Sequence, residues 1–80
     1  MTIDKKRLIE LIDFGADIEF SFDGKDYAIF AWTDDGIVLA EINTQTEFVY
    51  PNRDDFIQNC KIKDVPILAA LPKIDITFHT

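Results

Sequence analysis

Among 80 residues there is one cysteine, Cys60, one histidine, His79, and one serine, Ser21, and each scarcity removes a chemistry. A lone cysteine forms no internal disulfide, which points to a reducing compartment and a cytoplasmic location. One His and one Cys do not make a zinc cage, and no metal or other cofactor is expected. Asp34-Asp35-Gly36 lacks the spaced oxygen ligands and closing Glu of a calcium loop. The three glycines, Gly15, Gly24 and Gly36, stand apart, each at a helix stop or turn, so no phosphate-cradling loop exists. Ser21 is not in a nucleophile elbow, and Cys60, on the inner side of a helix, reads as a buried structural thiol. Basic residues are also in short supply: eight against fifteen acids, for a net charge of −7. That balance argues against nucleic acid and against an anionic membrane as partners. No apolar run reaches the ~18–20 residues that span a bilayer. The basic cluster Lys5-Lys6-Arg7 is not followed by the apolar run of a secretory signal.

What is present is an ordinary apolar share of 48 %, with 12 % aromatic residues, in a chain sized for one domain over residues 1–80. Thr2 to Phe14 reads as a helix, capped by Thr2 and stopped by Gly15, with Leu8, Leu11 and Ile12 as its apolar stripe. Ile18, Phe20 and Phe22 then alternate with polar residues, and Asp23-Gly24 supplies a two-residue hairpin turn. That turn opposes Phe22 to Lys25, Phe20 to Tyr27 and Ile18 to Ile29, so one face collects Ile18, Phe20, Phe22, Tyr27, Ile29 and Ala31. A second turn at Thr33-Asp34-Asp35-Gly36, with an even loop, adds Val38, Ala40 and Ile42 to that face. Beyond Asn43-Thr44-Gln45-Thr46 lies a short strand, Glu47 to Tyr50. An odd loop would turn its Phe48 and Tyr50 inward, an even one Val49.

Asn52 can cap a second helix, Arg53 to Lys61, with Phe56, Ile57 and Cys60 inside. Pro66 opens a short helical turn through Leu71, which Pro72 closes. Ile74, Ile76 and Phe78 alternate in a last strand, placed beside either the first or the fourth strand. The order α-β-β-β-β-α-(short α)-β describes an α+β domain: a mostly antiparallel sheet of about five strands with two helices and a helical turn on one face.

The opening helix, the acidic-aromatic hairpin Ile18-Glu19-Phe20-Ser21-Phe22-Asp23-Gly24-Lys25-Asp26-Tyr27-Ala28-Ile29 and the later helix resemble a family of small uncharacterised bacterial proteins. The resemblance is one of fold pattern and implies neither an activity nor site residues.

On the same parity, Phe30, Trp32, Ile37 and Leu39 point away from the helices, bordered by Glu19, Ser21, Asp26 and Glu41. If nothing in the chain covers them, they form an apolar patch with a polar rim, the make-up of a contact surface. The expectation is a non-enzymatic protein-interaction module, homodimeric through that outer face. The alternative is an acidic inhibitor or immunity-type protein that occupies a basic partner surface. No constellation supports an enzyme.

Overall fold

The computed structural model describes residues 2–79. The elements are α1 (Lys5–Phe14), β1 (Asp17–Phe22), β2 (Lys25–Thr33), β3 (Gly36–Glu41), β4 (Thr46–Tyr50) and α2 (Arg53–Asn59). There follow β5 (Lys61–Ile62), β6 (Val65–Pro66), α3 (Ile67–Ala70), a 3-10 turn (Leu71–Lys73) and β7 (Asp75–His79). The first four strands form an antiparallel meander and β7 returns beside β1, giving the five-stranded order β4-β3-β2-β1-β7. The α+β architecture expected from the periodicities is the one observed.

Local chemistry explains most boundaries. α1 starts two residues later than expected because Asp4, not Thr2, is its cap: the Arg7 N–H donates to Asp4 Oδ1 at 2.9 Å. Gly15 ends the helix at φ 84°, with the Gly15 and Ala16 N–H groups donating to the Ile12 and Leu11 carbonyls. Asn52 caps α2 through a 2.8 Å bond from the Asp55 N–H, and the helix stops at Asn59. Residues 61–66 are a two-stranded ribbon instead of a plain connection. Its turn is Lys63-Asp64, both with positive φ, a role that Asn-Gly fills more often. Pro72 does not end the helical turn but sits inside the 3-10 segment.

The three helices share one face of the sheet. Leu8, Leu11 and Ile12 of α1, Phe56 of α2, and Ile67 and Ala70 of α3 join Ile18, Phe20, Tyr27 and Ile29 in one buried cluster. Phe20 and Tyr27 face each other across the hairpin with ring centroids 5.4 Å apart. Arg53 of α2 donates to Asp13 of α1 at 2.7 Å, and Lys63 of the ribbon meets Asp23 of the first turn at 2.7 Å. The Lys63 ammonium holds the Asp23 carboxyl below its usual range.

One expectation fails at the second hairpin. The turn itself forms as expected, with Thr33 opposite Gly36, but the register then shifts between Phe30 and Thr33. Ala31 and Trp32 together oppose the single residue Ile37, a β-bulge that puts one extra residue into β2. Every residue of β3 from Ile37 onward is thereby turned over. Ile29 pairs with Leu39 and Phe30 with Val38, so Ile37 and Leu39 lie in the helix-covered core at 5 % and 1 % exposure. Val38, Ala40 and Ile42 take the opposite side. Four residues separate β3 from β4, an even loop that does set Val49 opposite Val38. With β3 inverted, it is nevertheless Phe48 and Tyr50 that face the helix side.

Gly36 has its own constraint. Its φ is 121°, and a Cβ there would collide with the Tyr50 carbonyl oxygen. β3 and the end of β4 are locked at that point by the missing side chain.

Candidate functional site

The face of the sheet away from the helices is defined by the ladder. Across it runs the row Val49, Val38, Phe30, Asp17, and beside that the row Glu47, Ala40, Ala28, Glu19, Phe78. Asp26 and Ser21 pair further along, with Asp75 next to Ser21. Ile42 extends the same face, since its N–H donates to the Asp26 carbonyl at 3.0 Å. Ala28, Val38 and Ala40 are buried, yet stand outside the core cluster that contains every buried helical residue. Small side chains in the middle of a sheet are screened by their longer neighbours even where no second layer covers them. The result is an apolar centre of Ala28, Phe30, Val38, Ala40 and Val49 bordered by Glu19, Asp26 and Glu47.

Two of the four residues expected on this surface, Phe30 and Trp32, lie outside the helix-covered core, Phe30 half-buried on the open face. Ile37 and Leu39 do not belong to it, for the reason given by the bulge. Trp32 is 87 % exposed. As one of the two bulge residues it is released from strict alternation, and its Cβ stands over Gly15, 3.5 Å from where a Cβ on that glycine would be. Phe14, the residue before, is 81 % exposed. Two large aromatic side chains therefore leave the surface at the corner where α1 ends and β2 is bulged. Phe14 lies off the Leu8, Leu11, Ile12 stripe, and that helical spacing was the signal for its exposure. The outward facing of Val38 and Ala40 had no such signal, because β3 is apolar at four consecutive positions, Ile37 to Ala40.

The covered side holds the only cysteine, at the end of α2. Burial pushes the Cys60 thiol up to about 11, against a smaller opposing effect of a hydrogen bond with Tyr50. Burial likewise raises Tyr50 to about 12, with Cys60 adding to the shift. A thiol held protonated in this way is a poor nucleophile. His79 pairs with Ile18 on β1, and its Nδ1 is buried with no hydrogen-bond partner among the described residues. Between α1, α2 and α3 lies a shallow open depression lined by Lys5, Ile9, Arg53, Ile57 and Leu68. The Arg53 guanidinium there is already engaged by Asp13 and Asp54. Among the described residues, no group of three or more His, Cys, Asp or Glu is placed to hold a metal ion. No helix among them is long and apolar enough to cross a membrane.

The chain thus defines a small α+β domain with one helix-covered and one open sheet face. Comparison with protein-family models, curated proteins and solved structures finds no match.

Proposed function

We propose that this domain is a non-enzymatic protein-interaction module whose open sheet face receives a basic protein surface. The observation that carries this reading is the make-up of that face. Carboxylates border its apolar centre, and among its described ladder residues there is no Lys or Arg. An apolar centre supplies area that leaves water on contact, while a one-signed rim selects and steers a partner of opposite charge. The net charge of −7 acts in the same direction at longer range. A second copy laid face to face would set carboxylate against carboxylate, which disfavours the homodimer through this face. An inhibitor or immunity-type protein that blocks a basic groove is one form the module would take. The aromatic corner of Phe14 and Trp32 adds side chains of the type that anchor interfaces.

The test reverses the rim. The parent chain should retain a basic protein from cell extract at low salt and release it as salt rises. Glu19→Lys with Glu47→Lys should abolish that capture, whereas Lys5→Glu, on the helix side, should leave it intact. Capture that survives the double reversal would remove the open face from consideration.

A further inference from the structure

The two edges of the sheet are unequal. β7 is bulged where its register shifts opposite Glu19 and Phe20, and a bulge twists an edge away from further pairing. β4, at the other edge, runs Thr46-Glu47-Phe48-Val49-Tyr50 with no register shift against β3. It contains no proline, no lysine and no bulge, and Glu47 is its one charged residue, so few of the devices that blunt an edge strand are present. Phe48 is 44 % and Val49 53 % exposed along it.

The backbone groups that β4 offers follow from the ladder. Ile42 bonds to Asp26 in the register that pairs Ala40 with Ala28. Bonded and unbonded pairs alternate in an antiparallel sheet, so Val38, Ala40 and Ile42 turn their peptide groups to β2. Ile37, Leu39 and Glu41 turn theirs to β4, where they meet Tyr50, Phe48 and Thr46. The N–H and C=O groups of Glu47 and Val49 are therefore the ones directed away from the sheet.

We propose that β4 pairs antiparallel with β4 of a second copy, across a two-fold axis at Phe48, fusing the two five-stranded sheets into one. In this register Glu47 faces the second copy's Val49 and the reverse, so each outward residue both donates and accepts. The two Phe48 side chains meet in an unbonded pair, where side chains approach most closely. Centring on Glu47 instead would oppose two carboxylates. Centring on Val49 would set Glu47 against Pro51, which lies beyond the strand and has no N–H. The strand is thus self-complementary in this one register, and the symmetry is that of an ordinary closed dimer. The interface uses an edge, not the open face, so the two open faces become one continuous acidic surface.

Cysteine substitution reads the register directly. Phe48→Cys should form a disulfide-linked dimer on mild oxidation, because unbonded partners have Cα atoms about 4.5 Å apart, within bonding range. Val49→Cys and Glu47→Cys place their thiols out of mutual reach and should cross-link far more slowly, with Cys60 too buried to compete. In sedimentation the parent should dimerise with concentration, more tightly at high salt because both copies carry −7. Val49→Pro removes an N–H that points outward, leaving the bonds to β3 in place, and should weaken association at least about tenfold. If that variant does not fold, the cysteine set decides alone. A parent that stays monomeric at millimolar concentration, or Phe48→Cys that cross-links no faster than Val49→Cys, overturns the proposal and leaves the edge to a strand from another protein. Salt separates the two readings: it strengthens this dimer and weakens capture of a basic partner on the open face.

Discussion

On the helix-covered side of the sheet, Leu39 sits between Ile29 and Phe48 in the same buried cluster as Phe56, Leu8 and Ile67 of the helices; one residue along, Val38 sits between Phe30 and Val49 and outside that cluster. Both are buried by area, but for different reasons. Leu39 is enclosed by a second layer of packed side chains, Val38 only by its neighbours in the same sheet. Burial by area therefore does not measure how much of the fold depends on a residue. What distinguishes the two faces is whether the atoms around a side chain come from distant parts of the chain.

The largest expected effect separates these neighbours. Leu39→Ala opens a cavity between two layers and should cost about 2–5 kcal/mol. Val38→Ala removes methyl groups from a face that stays open to water and should cost about 1 kcal/mol. Urea unfolding midpoints of the two variants measure the difference. The reverse ranking would show that β3 lies in the opposite register, and equal losses that a second layer covers the open face.

That pair also shows where the fold was legible. The first hairpin could be read completely, because Asp23-Gly24 fixes the turn and polar residues alternate on one side, so each register error would bury a charge. The helix caps at Asn52 and Gly15 were equally explicit. β3 carries no such check: with Ile37, Val38, Leu39 and Ala40 all apolar, either facing satisfies the pattern. Only the turn remained as a guide. The turn was right, but the extra residue at Ala31-Trp32 cancelled its consequence from Ile37 onward. A bulge leaves no compositional mark when the residues that make it are a small alanine and an exposed tryptophan. The open face survived the error, since Phe30 stays on it. Its inner membership changed, with Val38, Ala40 and Val49 taking the places expected for Ile37 and Leu39. The ribbon at Lys61–Pro66 is not legible in the sequence because Lys63-Asp64 is an unusual pair for two successive positive φ angles.

A smaller effect probes the covered side by pH. Water returns the Cys60 thiol and the Tyr50 hydroxyl to their ordinary acidities on unfolding, whereas burial holds them at about 11 and about 12 in the folded chain. Between about pH 9 and 12 the unfolded chain thus binds fewer protons than the folded one, and stability falls as pH rises. The contribution is fully present below pH 9 and declines by at most about 1.4 kcal/mol per pH unit for the thiol. Cys60→Ala should flatten the first part of that alkaline decline, and Tyr50→Phe the later part, in denaturation midpoints measured from pH 8 upward. A decline unchanged in both variants would mean that neither group is held away from water.

The smallest effect on stability belongs to the aromatic corner, and there a small number is the informative one. Trp32 is the single tryptophan and stands 87 % exposed, so Trp32→Ala should change stability by less than about 0.5 kcal/mol. Its fluorescence should be that of an indole in water and readily quenched by iodide in the free chain. A partner seated on the adjoining open face would shield the ring, shift its emission to the blue and slow the quenching, with no change in the fold. A dimer formed through β4 would leave it as it was. Loss of more than about 1 kcal/mol on Trp32→Ala, or a ring already protected in the free monomer, would instead make this corner part of the packed side. The contrast between a layer that holds the chain together and a surface held in reserve would then have to be drawn without its most exposed residue.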